Sequence, residues 1–238
     1  MRRSHLWACV ILGSCGGPSA VGQREQESLG AVLQTVQAVA AVVEVAHHGV
    51  LPGTGAEPTC PSVSRVQGFA TIDYGDGCIP DSGLVRARMS GAIRLDIDDR
   101  VTARFAGLSM DDVDLEGRLD ARATPVSRFD GVLLLDQPTP DGVVLALSVG
   151  LGQAPPYILH GTAQRTEGGL GVPVEFEEVE LPVEGPCLGP ISGTATVEQG
   201  LHQVAFRFTD DGGVVVSRSD GVEGTLQACD HERPLIGG

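Results

Sequence analysis

From Arg65 onward, apolar and polar residues alternate with a period of two. The clearest stretch is Gly68–Ile97, where GFATIDYGDGC is followed by IPDSG and then LVRARMSGAIRLDI. Val85, Ala87, Met89, Ile93, Leu95 and Ile97 share one face, and Arg86, Arg88, Ser90, Arg94, Asp96 and Asp98 share the other. Successive side chains of a strand point to opposite sides. The pattern therefore predicts a strand, a tight acidic turn carrying a cysteine, and a long half-buried strand broken at Gly91. Val101, Ala103 and Phe105 open the next strand. Beyond it, Val113, Leu115, Leu119 and Ala121 alternate with Asp114, Glu116, Arg118 and Asp120. Val132 to Leu135 is apolar on both faces, which predicts a strand in the centre of a sheet. Further strands are predicted over 143–151, 157–165, 172–181, 191–198, 203–209, 214–217 and 222–228. Turns such as QPTPDG at 137–142 and Asp210-Asp211-Gly212-Gly213 connect them. So many strands in sequence define an all-β, antiparallel protein, either a strongly curved multi-stranded sheet or a sandwich. Glycines recur inside strands at Gly91, Gly117, Gly131, Gly161, Gly193 and Gly224, where they predict bulges, bends or close backbone approach.

The period changes before the strands begin. Over Gln23–His48, Leu29, Val32, Leu33, Val36, Val39, Ala40, Val43 and Ala46 fall at helical spacing. Glu25 and Glu27 favour the positive end of the helix dipole, and Gly49 and Pro52 stop the helix. Gln34, Gln37 and Glu44 interrupt the apolar run, so the segment does not read as a membrane span. It reads either as a helix that docks on the β domain or a partner, or as a stalk that packs weakly on its own domain. Ahead of it, MRRSHLWACVILGSCGG has two arginines, an apolar run from Leu6 to Leu12 and small residues, the order of a secretory leader too short for a spanning helix. Leu12-Gly13-Ser14-Cys15 resembles a lipobox, whose cysteine is lipidated and becomes the mature N-terminus. An ordinary cleavage after Pro18-Ser19-Ala20 is the alternative. The chain thus divides into a lipoprotein signal peptide (1–14), tether (15–23), amphipathic helix (24–49), linker (50–64), all-β domain (65–230) and tail (231–238).

Composition narrows the chemistry. The 238 residues are 42% hydrophobic but only 4% aromatic, so the core must be aliphatic. All 16 basic residues are arginine. The formal charge is −15, and removal of Arg2 and Arg3 with the leader would take it to −17. A chain this acidic lacks the basic footprint that nucleic-acid binding requires. With Cys9 in the leader and Cys15 as the lipidation candidate, Cys60, Cys78, Cys187 and Cys229 remain. Four cysteines in an exported chain imply two disulfides with three possible connectivities, of which Cys60–Cys78 with Cys187–Cys229 is favoured. No CxxC and no His-x3–5-His spacing supports zinc. Asp73, Asp76 and Asp81 could hold calcium around the DYGDGC turn, or could simply make the turn. The run at Asp112, Asp114 and Glu116 has Ala123 where an EF-hand loop needs an acid. No G-x-S-x-G elbow, phosphate-binding loop or dinucleotide fingerprint occurs. No catalytic residue, metal or cofactor is assigned.

ATIDYGDGC with RARMSGAIRLDI, the run MDDVDLEGRLDA, and the closing Cys187 with PISGTATV and VEGTL together resemble a family of uncharacterised bacterial lipoproteins. The likeness covers Phe69 to Cys229 in patches, and Pro125 to Pro186 is not matched closely. The resemblance implies export and an all-β fold, and carries over no catalytic residues. The expectation is a lipid-anchored extracytoplasmic protein, held to a bacterial outer membrane or cell surface through Cys15. Its role would be structural, or to bind an envelope protein or surface ligand. The competing class is a secreted enzyme or calcium-dependent binder using acidic hairpin ends.

Overall fold

Alternating sequences form strands, and short polar turns leave consecutive strands no choice but to pair with their chain neighbours. The computed structural model describes residues 21–50, 60–80, 85, 87–97, 101–111, 113–122, 127–136, 143–151, 156–167, 170–181 and 189–228. One helix, α1 (Gln23–Val50), precedes fourteen strands. These are β1 (Ser62–Val66), β2 (Phe69–Asp73), β3 (Met89–Ser90), β4 (Ala92–Ile97), β5 (Val101–Met110), β6 (Val113–Arg122), β7 (Ser127–Asp136), β8 (Val143–Leu151), β9 (Tyr157–Glu167), β10 (Leu170–Leu181), β11 (Ser192–Gln199), β12 (His202–Phe208), β13 (Gly213–Arg218) and β14 (Glu223–Gln227). All belong to one antiparallel meander running in chain order from β1 to β14, with β3 attached to β5 at the side. The sheet is open, with β1 and β14 as its edges. It is a single curved sheet and not a sandwich. β1 begins at Ser62, inside the stretch read as linker, and pairs with β2. The long strand expected over 85–97 is shorter. Gly91 separates β3 from β4, and Val85 lies outside any strand, although it is buried as the pattern requires.

The helix is the centre of the core. Its start is tied to β13 and β14, its middle to β9, and it packs on β2, β4 and β10. A sheet that touches one helix with strands from both ends and the middle of its meander must curl around it. Leu29, Val32, Leu33, Val39 and Val42 are buried, and so are Gln34, Thr35 and Glu44 on the polar side. The weakly packed stalk is therefore overturned. The apolar stripe packs as expected, but the sheet also closes over the residues that looked solvent-facing. Ala38, Ala40 and Ala41, all buried, keep the helix slim enough to be enclosed. No helix among the described residues is long and apolar enough to cross a membrane.

Curling this tightly needs bends, and the recurrent glycines supply them. The register slips in β5 between Phe105 and Leu108, and in β10 between Phe176 and Glu180. Gly91 (φ 91°) faces the first slip, where a Cβ would overlap the Gly107 carbonyl. Gly193 (φ 90°) faces the second, where a Cβ would overlap the Glu178 carbonyl. Glu178 itself has φ 52°, the extra residue of a bulge.

Cys60 and Cys78 form a disulfide, Cα to Cα 6.1 Å, across a separation of 18 residues. A loop of that size is stabilised by about 3 kcal/mol in the chain-entropy account. Cys15, Cys187 and Cys229 lie outside the described residues, and with them the lipidation site and the second expected disulfide.

Candidate functional site

The outer face of β4, β5 and β6 carries an unusual row. Antiparallel pairing sets Arg94 opposite Arg104, and Arg104 opposite Arg118. Like charges directly across a sheet destabilise it, because their Cβ atoms lie about 5 Å apart. All three side chains are more than 60% exposed. The strain is relieved from the neighbouring row, where Asp96 lies opposite Thr102 and Thr102 opposite Asp120. Asp96 sits 3.6 Å from Arg94 and 3.9 Å from Arg104. Asp120 accepts from Arg118 at 3.0 Å and from the Thr102 hydroxyl at 2.8 Å.

Two shallow depressions flank the row. One is lined by Gly68, Phe69, Arg94, Asp96 and Arg104. The other is lined by Glu116, Gly117, Arg118, Asp120, Gly131 and Val132. Phe69 is exposed, with the Arg94 guanidinium 4.0 Å above its ring centroid. Val132 is half exposed at the far end. β7 is central in strand order, as its two apolar faces predict, yet Val132 opens onto the outer surface. The result is a band across β2–β7 with an aromatic ring, three guanidiniums and an aliphatic patch, punctuated by three carboxylates, Asp96, Glu116 and Asp120, that can accept hydroxyl hydrogens.

Inside the sheet, polar groups are few and buried. Arg165 donates to the Gln34 side-chain oxygen at 2.9 Å. Glu44, Tyr74 and Tyr157 are buried towards the other end of the helix. Burial raises the pKa of both phenols, and the nearby Glu44 carboxylate raises it further. The Tyr74 hydroxyl finds no hydrogen-bond partner among the described residues.

A third set latches the helix start. The Gly22 N–H donates to Glu25 Oε2 at 2.8 Å, half of a capping box. Glu25 Oε1 accepts from Arg218 Nη1 at 2.8 Å, and Arg218 grips Asp220 with its other nitrogens at 2.6 and 2.8 Å. Burial alone would raise the Glu25 pKa. Hydrogen bonds from its own backbone, Arg218 and Gly22 outweigh burial and hold it below the ordinary 4.5. A lowered carboxylate pKa gives stability that is present above the unfolded value and lost as pH falls through the folded one. Glu25→Gln is therefore expected to cost about 2 kcal/mol at pH 7, the scale of hydrogen bonds to a charged group. That deficit should shrink as the pH of a urea titration is lowered below 4.5.

Of the acidic residues singled out in the sequence, Asp114 and Glu116 lie within β6, and those of the DYGDGC and 210–213 segments lie at turns. Asp73 accepts from the Gly75 N–H at 2.8 Å, and the Asp76 carbonyl accepts from Arg88. Asp81 lies outside the described residues. Asp211 accepts from the Thr209 hydroxyl and the Gly213 N–H. Among the described residues no three His, Cys, Asp or Glu side chains converge as metal ligands. His160 accepts from the Glu178 N–H, and His202 lies 3.8 Å from Asp220. The arginine row escaped sequence reasoning because its members are 10 and 14 residues apart and only the strand register brings them together. Searches against protein-family models, curated proteins and solved structures found no match to this chain.

Proposed function

We propose that this is a lipid-anchored cell-envelope protein that binds rather than catalyses, with the outer-face arginine row as its contact for an acidic glycan. The observation that carries the reading is the row itself: three guanidiniums aligned at a cost to the sheet, in a chain whose formal charge is −15. Adjacent strands are about 4.8 Å apart, close to the advance per sugar of an extended polysaccharide, so successive carboxylates could meet successive arginines. Phe69 and Val132 offer apolar surface to sugar rings, and Asp96 and Asp120 offer acceptors to hydroxyls. The leader, the lipobox at Cys15 and the Cys60–Cys78 disulfide support an extracytoplasmic setting.

The test is binding of a uronic-acid polymer to the mature protein, with and without Arg104→Gln. The wild type should bind with an affinity that falls as salt rises. Arg104→Gln should bind about tenfold more weakly, equivalent to about 1.4 kcal/mol. Its melting temperature should not drop, because the substitution removes a like-charge contact. An unaltered affinity in Arg104→Gln, or no binding by the wild type, overturns the assignment of the row.

A further inference from the structure

The end of the sheet that bears the helix start also bears the most exposed large apolar side chain of the described residues, Leu201, 97% exposed. We infer that this end faces the bilayer and that Leu201 inserts into its surface, an inference that rests on the lipid anchor at Cys15. Leu201 tips the hairpin between β11 and β12, where Gln199 pairs with His202 across a two-residue turn and Gly200 takes φ 62°. Glycine with positive φ in the first position makes such a turn tight, so the leucine is held out on a fixed support. The adjoining His202 lies 3.8 Å from Asp220, Asp220 grips Arg218, and Arg218 grips Glu25 in the first turn of the helix. Ser219 in the β13–β14 turn donates its N–H to the Gln203 carbonyl at 2.9 Å, which fixes the two tips beside each other. The Leu201 tip and the helix start thus occupy one end.

A single exposed leucine is ordinary on a protein surface. What distinguishes this one is the reach of the chain. Val21 lies six positions after Cys15, and its side chain would meet any Cβ placed on Gly224 of β14. Six residues extend at most about 20 Å. The helix of 28 residues is about 42 Å long. An anchor on so short a leash holds the Leu201 end at the membrane and leaves the far end unable to replace it. Glu198, Asp220 and Glu223 around the tip are partly or fully exposed and acidic, so contact is apolar and directed to zwitterionic lipid.

The only native tryptophan, Trp7, precedes Cys15 and is absent from a chain processed there, so an introduced tryptophan reports alone. The experiment uses protein whose mass shows acylation at Cys15, carrying Leu201→Trp and reconstituted in phosphatidylcholine vesicles. Asp210→Trp, in the turn at the opposite end, serves as the comparison. Emission from Leu201→Trp should shift to the blue and be quenched by brominated lipid, while Asp210→Trp keeps a water-like, unquenched spectrum. Water-like emission from Leu201→Trp on acylated protein overturns the inference and leaves the anchor standing. A mature mass without acyl chains at Cys15 overturns the anchor, and this inference with it.

Discussion

Val39→Asp is expected to leave the protein unfolded at room temperature. Val39 sits in the middle of the helix and is fully buried. A carboxylate there would be enclosed on every side, without a partner of opposite charge in its design. Leaving a charge uncompensated in a core costs several kcal/mol, and the valine's own packing is lost as well. The sum, about 5 kcal/mol or more, is comparable to the whole stability of an ordinary domain. Circular dichroism with a urea titration checks it. A Val39→Asp variant that melts like the wild type would return the helix to the role of an exposed stalk. Loss of the cooperative transition places it at the centre of the core.

Gly193→Ala is the second large effect. The new methyl group meets the Glu178 carbonyl and the Val179 Cα, both backbone atoms of the adjacent strand that cannot turn aside. The φ of 90° is also strained for any residue with a Cβ. The expected loss is about 3 kcal/mol, with strain and the displaced strand both contributing. Gly200→Ala supplies the internal standard. It shares a positive φ, 62°, but nothing stands within 4 Å of the added atom. It should cost about 1 kcal/mol, the left-handed penalty alone. Equal losses in the two variants would remove the backbone clash, and with it the account of how the sheet bends.

The strands were legible because period-two alternation is a local property. The antiparallel arrangement was legible too, since most of the connections are too short to do anything except return the chain antiparallel, while the choice between one sheet and a sandwich was not. Close backbone approach was legible at Gly91 and Gly193, which lie opposite the bulges in β5 and β10, because a Cβ at either would meet the partner strand's backbone. The position of the helix was not legible. Gln34 and Glu44 looked like the wet side of an amphipathic stripe, and nothing local signals that a sheet assembled from residues 62–227 will close over them. The end of the long strand misled for a related reason. Val85 and Ala87 keep the alternation while the backbone there departs from the sheet, so burial and strand pairing part company. Cys60–Cys78, favoured as a staple between the entry loop and the end of the DYGDGC turn, is formed. The arginine row needed register across three strands. A sequence with no local clustering of Arg94, Arg104 and Arg118 hides it.

These features fit one arrangement. A helix is latched at its start by Glu25 and Arg218 and wrapped by a bulged meander, and the proposed contact lies on the outer surface of that meander. Whether that surface works at the cell envelope depends on Cys15. The direct measurement is the intact mass of the mature protein isolated from its own membranes, with sequencing of its N-terminal peptide. The account predicts a chain that begins at Cys15 and carries acyl groups on that residue. An unacylated chain beginning beyond Cys15, for example after Ala20, would contradict it.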